Sequence, residues 1–188
     1  MKTRIILALV TSFSLTFGGC ALNSLKSPAE KRQYILDMKD ETLRQLYREK
    51  PGARNVIQKA VGYAVFSNAN VNVIIASFSG GYGVAINNHT GRKTYMRMGE
   101  VGLGLGLGVK DFRVIIVFHT RRSMRRFVNN GWNFGGQLDA AAKASDKGEA
   151  YTGEALIGGM TIYHITKTGL ALQALLKGTR FWKDKELN

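Results

Sequence analysis

The densest group of side chains able to bind an anion is the run of residues 121–128, Arg-Arg-Ser-Met-Arg-Arg-Phe-Val. On a helix, Met124, Phe127 and Val128 share one face, and the four arginines lie across the other. The arginines form like-charged pairs four residues apart, and the first two also oppose the positive end of the helix dipole. Each conflict costs roughly a few tenths of a kcal/mol, and a bound anion would relieve them together.

Arginine suits such an anion because its planar guanidinium can donate two parallel hydrogen bonds to a phosphate. Two further cations lie close in sequence and extend the predicted site. The predicted anion-binding or lipid-binding residues are Arg121, Arg122, Arg125, Arg126, Lys110 and Arg113. The alternative is a solvated basic face whose apolar stripe simply docks on the rest of the domain.

The candidates for catalysis and metal binding are weaker. The three histidines lack the short spacing of zinc motifs: His89, His119 and His164. The serines lack a Gly-x-Ser-x-Gly motif. An acid–base pair would have to combine distant carboxylates, Glu100 with Asp139 or Glu154. We therefore expect a protein that is not an enzyme, with no catalytic residue, no metal and no cofactor.

The amino terminus has the three-part layout of a secretory signal. A basic start, Lys2 and Arg4, precedes a short apolar stretch over residues 5–17, and small residues lead to the single cysteine, Cys20. The stretch is shorter than the about 20 apolar residues that a membrane span needs. The end of this segment resembles a bacterial lipobox, although Phe17 stands where leucine is more usual.

The lipobox resemblance implies a signal peptide over residues 1–19, lipidation of Cys20 and a tether over residues 20–27. Several acyl chains such as palmitate would anchor the protein stably, because each buried methylene contributes about 0.8 kcal/mol. Ala21 stands where an aspartate would resemble an inner-membrane retention signal, which favours the periplasmic side of the outer membrane. Ordinary cleavage that leaves a free thiol is the alternative.

Charge and composition narrow the partners. The formal net charge is +14, and 45% of the residues are hydrophobic, so we expect one folded domain over residues 28–188 with anionic partners. Nucleic acid, anionic lipid and acidic polysaccharide all fit this charge. A periplasmic lipoprotein seldom meets nucleic acid, so the expected partner is an anionic phospholipid or another anionic envelope component.

Helices are predicted at the start of the domain. Ser27, Pro28 and Glu30 are typical of a helix start with a capping box. An apolar stripe continues beyond Asp40, which is read as the cap of a second helix, and Pro51 ends the pattern. The stripe is expected to pack on the domain; a helix lying on the membrane surface is the alternative.

From Gly62 onward the hydrophobic period changes to two, which is typical of strands. Strands are predicted at residues 62–66, 71–78, 82–87, 93–99, 101–109, 112–119, 132–143, 151–156, 161–166 and 170–176, with a helix at 121–129. Short connections favour antiparallel neighbours. The expected fold is α+β: a strongly curved antiparallel β-sheet or partly closed β-barrel with amino-terminal helices packed on it. A two-sheet sandwich is the alternative.

Residues 101–109 alternate branched aliphatic residues with four glycines. This pattern predicts a strand with one bare face, suited to tight curvature or close packing. It lacks the sixth-position glycine of a dinucleotide-binding loop, where Leu107 stands.

Four segments together resemble the SYLF-domain family of lipid-binding proteins from about residue 30 to the end. They are residues 62–66 (Gly-Tyr-Ala-Val-Phe), 80–84 (Gly-Gly-Tyr-Gly-Val), the glycine-alternating strand and 178–182 (Gly-Thr-Arg-Phe-Trp). The family includes envelope lipoproteins and eukaryotic proteins that bind phosphoinositides or actin. The resemblance implies a binding module that associates with anionic lipid. A scaffold that recruits a protein partner, and a carrier of an apolar ligand inside the barrel, remain alternatives.

Overall fold

Three helices and nine strands make up the part of the chain that the structure describes. The computed structural model describes residues 27–68, 80–100, 113–134, 154–166, 169–170 and 179–188. The predicted signal peptide, Cys20, Lys110 and the strands at 71–78 and 101–109 lie outside these residues. The helices are α1 (Pro28–Glu49), α2 (Ala53–Lys59) and α3 (Arg121–Asn130).

The strands form one antiparallel sheet, as the short connections predicted. They are β1 (Gly62–Ser67), β2 (Gly80–Asn87), β3 (Lys93–Glu100), β4 (Arg113–Phe118), β5 (Trp132–Phe134), β6 (Glu154–Ile157), β7 (Met160–Thr166), β8 (Gly169–Leu170) and β9 (Thr179–Lys183). Their order is β5-β9-β3-β2-β1-β4-β7-β6, and β8 pairs with β7. The sheet is strongly curled, so the predicted α+β fold is confirmed.

Helix α1 begins with the capping box that the sequence predicts. The Ser27 side chain accepts a hydrogen bond from the Glu30 backbone, and the Glu30 carboxylate accepts one from the Ser27 backbone. The prediction of a second helix starting at Asp40 is wrong. The buried stripe runs from Ile35 through Leu46 without a break, and no glycine or proline interrupts it, so Asp40 is an exposed residue within α1.

The sequence pattern does not predict strand β9. Thr179 and Phe181 are buried while Arg180 is exposed, which is the alternation of a half-buried strand. It pairs with β3 on one side and β5 on the other, so that Phe181 lies opposite both Met98 and Trp132. The strand has only five residues, which are too few for a period of two to be recognised.

The sheet has a hydrophobic core on each face because successive side chains of its strands point to opposite sides. On the first face, here called the α1 face, Val65, Ile115 and Tyr163 pack with α1 and α2. On the second, the α3 face, Phe66 and Ile116 pack with α3. Helix α3 therefore covers a face opposite to the amino-terminal helices.

Candidate anion-binding site

Helix α3 begins at a well-formed cap. Thr120 accepts a hydrogen bond from the Ser123 backbone through its hydroxyl oxygen, at 3.1 Å. The Ser123 hydroxyl donates to the Thr120 carbonyl at 2.9 Å. The helix ends before Gly131, whose φ of +73° is in the left-handed region. These caps fix the two ends of α3, and Arg121 is its first residue.

Aromatic packing fixes the rotation of α3 about its own axis. Phe127 is fully buried, and its ring centroid lies 5.0 Å from that of Phe118, 5.4 Å from Phe181 and 6.1 Å from Phe66. Such ring pairs stabilise the core beyond their buried area. With Phe127 seated in the sheet, the predicted apolar stripe is confirmed and the polar side of α3 faces solvent.

The four arginines of α3 are exposed: Arg121, Arg122, Arg125 and Arg126. None of them forms an ion pair with another described residue, and α3 itself carries no carboxylate. Arg126 lies over the ring of Trp132, with 5.4 Å between the guanidinium carbon and the ring centroid. The helix therefore presents a dense positive surface without counter-charges of its own.

Ion pairs occur elsewhere, on the α1 face and near the carboxyl terminus. They join Arg113 to Glu41, Arg97 to Asp184 and Glu186, Lys31 to Glu186, and Lys39 to Asp40. Some cations on or opposite α1, such as Arg113, are thus matched by carboxylates, whereas none of the four arginines of α3 is.

Arg113 lies apart from the other predicted site residues. Its guanidinium donates to Glu41 at 2.9 Å and to Gln45 at 3.3 Å, both on α1. Strand alternation places it on the α1 face, because Val114 already belongs to the core beneath α3. Closeness in sequence was misleading here, since adjacent strand residues point to opposite sides.

A groove of about 340 Å³ separates α3 from the end of the sheet. We call it the α3 groove. Four cations line it: Arg121 and Arg125 from α3, Arg92 from the turn after β2, and Lys183 from β9. The lining also includes apolar Val61, Met124 and Val128, and it contains no described carboxylate.

Arg92 and Lys183 are not among the residues that the sequence predicts for the site. Neither has a pattern that links it to residues 121–126, and only strand register brings them together. Thr94 pairs with Ala85, and Lys183 pairs with Met96, so the three strands β2, β3 and β9 bring these positions to one end of the sheet. A second hollow, of about 390 Å³, is lined by Arg122 and Arg126 and shares Arg125 and Asn129 with the α3 groove.

The residues considered for metal binding or acid–base catalysis lie on separate elements of the fold. His89 is exposed in a turn, the His119 ring lies 2.7 Å from the Thr161 hydroxyl, and His164 is buried in β7. Four strands lie between Glu100 on β3 and Glu154 on β6, and Asp139 lies outside the described residues. Within the described ranges, no three potential metal ligands cluster, and no helix is both long and apolar enough to span a bilayer.

Comparisons with known proteins agree with the resemblance seen in the sequence. The model of the Ysc84 family, described as Las17-binding protein actin regulator, matches residues 99–188. This part of the chain is therefore similar to the SYLF-domain family, in agreement with the resemblance seen in the sequence. A curated relative, Beta cell expansion factor A of Aeromonas veronii, is 36% identical over 162 residues, which cover 86% of this chain and 60% of the relative. The chain thus spans about 60% of the length of that relative.

The SYLF-family match includes part of the candidate site. Residues 99–188 contain all of α3 and β9, and hence Arg121, Arg125 and Lys183, whereas Arg92 precedes the match. The family description names a binding and regulatory role for the proteins that it covers.

Proposed function

We propose that this protein is a lipid-anchored, non-enzymatic binding module whose α3 arginines associate with anionic phospholipid or another anionic envelope component. The observation that carries the proposal is the set of four exposed arginines on α3 without a described ion-pair partner. Other exposed cations, such as Arg44, Arg48, Lys59 and Lys93, also have no described ion pair, but they are spread over α1, α2 and β3. The four arginines of α3 lie together on one helix of 10 residues without a carboxylate, so this helix is suited to an anionic surface.

Magnitudes support a membrane-surface role. A basic residue close to an anionic leaflet contributes about 1 kcal/mol, and this contribution decays within about 8 Å at physiological salt. Several arginines held on one helix therefore bind appreciably only while the domain stays near the surface. We expect binding that falls steeply as salt is added.

The proposed anchor would supply this proximity. Acyl chains on Cys20 would hold the protein at the periplasmic side of the outer membrane, and residues 20–27 would tether it. An extended chain spans at most about 3.6 Å per residue, so this tether reaches roughly 29 Å. The domain would remain about one domain diameter or less from the bilayer.

The test is co-sedimentation with anionic and zwitterionic vesicles, using the mature chain that the proposed anchor implies, residues 20–188, with Cys20→Ala so that neither an acyl chain nor the apolar signal peptide contributes. The test variant changes Arg121, Arg122, Arg125 and Arg126 to glutamine. A control variant removes the same charge from exposed cations on α1, α2 and β3: Arg44, Arg48, Lys59 and Lys93 to glutamine.

Wild type and control are expected to sediment with anionic vesicles, and the α3 variant is expected to lose most of this binding. Equal binding by the α3 variant and the wild type, with unchanged thermal stability, would overturn the proposal. Mass spectrometry of the mature amino terminus tests acylation of Cys20 and would contradict the anchor if the thiol were free.

A second candidate is a scaffold that recruits a protein. The family description names binding to Las17 for the proteins it covers, and this supports a protein partner for the same basic surface. Co-purification of one stoichiometric partner by a chain that does not bind anionic vesicles would favour the scaffold. A carrier of an apolar ligand would instead be recognised by native mass spectrometry as a chain with a bound lipid.

A further inference from the structure

We propose that the α3 groove is a defined binding site for a single phosphate-type group, and not merely part of a diffuse basic surface. The inference deepens the proposed function and rests on it for the lipid as a source of the phosphate. The same chemistry is offered by a lipid headgroup and by a free phosphate. The experiment below separates the two.

Cations from three separate elements converge on the α3 groove. Arg92 belongs to the turn between β2 and β3, Arg121 and Arg125 belong to α3, and Lys183 ends β9. The described lining supplies no carboxylate to offset them. A bound dianion would relieve their mutual repulsion, and guanidinium groups can grip it by paired hydrogen bonds.

Hydrogen bonds within the domain hold the wall that carries Arg92 in place without a ligand. The Asn88 side chain donates to the carbonyls of Ile57 at 2.7 Å and Ala60 at 3.0 Å, which ties the turn to the end of α2. The Asn87 side chain accepts hydrogen bonds from the backbones of His89 and Thr90, at 2.9 and 3.0 Å. A rigid turn lowers the entropy lost on binding.

The opposite wall is equally constrained. Phe127 fixes α3 against the sheet, and Lys183 donates to Asn129 at 3.2 Å across the groove. This hydrogen bond orders the ammonium beside Arg125 in the same lining without neutralising it. A phosphate could take the remaining hydrogen bonds of Lys183.

Part of the lining of the α3 groove is apolar. Val61, Met124 and Val128 lie in a groove of about 340 Å³. This volume exceeds what one phosphate needs, so the first carbons of an esterified group have apolar surface to contact. The groove therefore suits a phosphate ester at least as well as the bare ion.

Helix α3 itself offers a matched comparison. Arg121 lines only the groove, Arg125 lines both the groove and the second hollow, and Arg122 and Arg126 line only the second hollow. Two double variants, R121Q/R125Q and R122Q/R126Q, remove the same charge from the same helix. A diffuse basic surface would respond equally to both, and a defined site would not.

The experiment is calorimetric titration of the mature chain, residues 20–188 carrying Cys20→Ala, with inorganic phosphate and with dihexanoyl phosphatidic acid below its micelle concentration. We expect one site per chain, at least tenfold weaker binding in R121Q/R125Q, and a change of less than threefold in R122Q/R126Q. Arg92→Gln and Lys183→Gln are also expected to weaken binding, because they alter the groove without touching α3.

Equal losses in the two double variants would overturn the site, as would unchanged affinity in both Arg92→Gln and Lys183→Gln when the melting temperatures match. At least tenfold tighter binding of the lipid than of phosphate supports the site and identifies a lipid as its source. Similar affinities also support the site and identify free phosphate.

The site and the proposed function can fail separately. Vesicle binding that depends on all four arginines, without saturable binding of either soluble probe, overturns the site and leaves the proposed function standing. Saturable probe binding by a chain that ignores anionic vesicles supports the site and overturns the proposed membrane role.

Discussion

Gly83 shows how closely the strands and their side chains are packed at single residues. A Cβ atom at this position would lie 2.2 Å from the Val65 carbonyl oxygen and 2.4 Å from the Phe66 ring. Backbone blocks one side and a fully buried ring the other, so neither can move cheaply. Glycine is required here by close approach.

We therefore expect Gly83→Ala to destabilise the fold by about 2 kcal/mol or more, as overpacking does. Gly52→Ala is the control, since no atom lies within 4 Å of the position that its added Cβ would take, and its φ of −61° suits alanine. Urea unfolding measures both free energies. Equal stabilities of the two variants would contradict the packing at Gly83.

Tyr63 predicts a loss of stability in alkali. Burial, and then the charges of Tyr47 and Asp40, raise the pKa of Tyr63 to about 12 from an ordinary value of 10.0. Between these values the unfolded chain releases the proton and the native chain keeps it. Rising pH therefore favours unfolding across this window.

The Tyr63→Phe variant should flatten this decline, because phenylalanine has no proton to release. The measurement is the free energy of unfolding at about pH 9 and about pH 11. The slope should shrink without vanishing, since burial also raises the pKa of Tyr47 and Tyr95. An identical slope in the variant would show that Tyr63 does not contribute.

The exposed arginines of α3 were predictable residue by residue, because helical period and charge suffice to place them. Arg113 was not: a strand sends neighbours to opposite faces, and this arginine pairs with Glu41 on α1. The presence of Arg92 and Lys183 in the site could not be predicted either, since only strand register brings them to the groove. Residue positions that depend on long-range pairing leave no local signal.

At the scale of elements, α3 depends on one aromatic anchor. Phe127→Ala removes a fully buried ring that contacts three others. The expected loss is about 3–5 kcal/mol of unfolding free energy. Thermal or urea denaturation measures it, and Val128→Ala, at a partly buried position on the same helix, should cost clearly less. Similar costs would contradict the anchoring role.

The boundary of a helix could be predicted where its cap residues form a specific local pattern. The capping box at Ser27 located the start of α1 to the residue. The prediction of a helix cap at Asp40 was wrong because an acidic residue can stand either at a helix cap or inside a helix. Only the buried stripe from Ile35 to Leu46 distinguishes the two cases. Strand β9 could not be predicted because five residues contain too few repeats of an alternating pattern.

At the scale of the whole molecule, the last residues fasten the first helix to the sheet. Asp184 is buried, and it accepts hydrogen bonds from Arg97 at 2.7 Å and from the Glu186 backbone at 2.8 Å. Arg32 on α1 donates to the Leu187 carbonyl at 2.9 Å. The α1 face is therefore closed by contacts that join both ends of the domain.

Asp184→Ala should loosen this closure. Removing a buried carboxylate leaves Arg97 and the backbone N–H groups of Glu186 and Leu187 without their acceptor, at a cost of about 3 kcal/mol. Hydrogen exchange should accelerate in the first turn of α1. Glu186→Gln, which removes only exposed ion pairs, should cost less than about 1 kcal/mol. Unchanged exchange in Asp184→Ala would refute the fastening role.

The position of the aromatic residues has a spectroscopic consequence. Both tryptophans, Trp132 and Trp182, lie on the paired strands β5 and β9, and Arg126 of α3 lies over one of them. Trp132 lies opposite Phe181 on the α3 face, whereas Trp182 follows Phe181 in its strand and therefore lies on the α1 face. The tyrosines of the α1 face share that side with Trp182: Tyr34, Tyr47, Tyr63, Tyr82, Tyr95 and Tyr163. Indole emission from the unlabelled protein thus reports on both faces of this edge of the sheet. Energy transfer from tyrosine to tryptophan reports whether α1 remains seated.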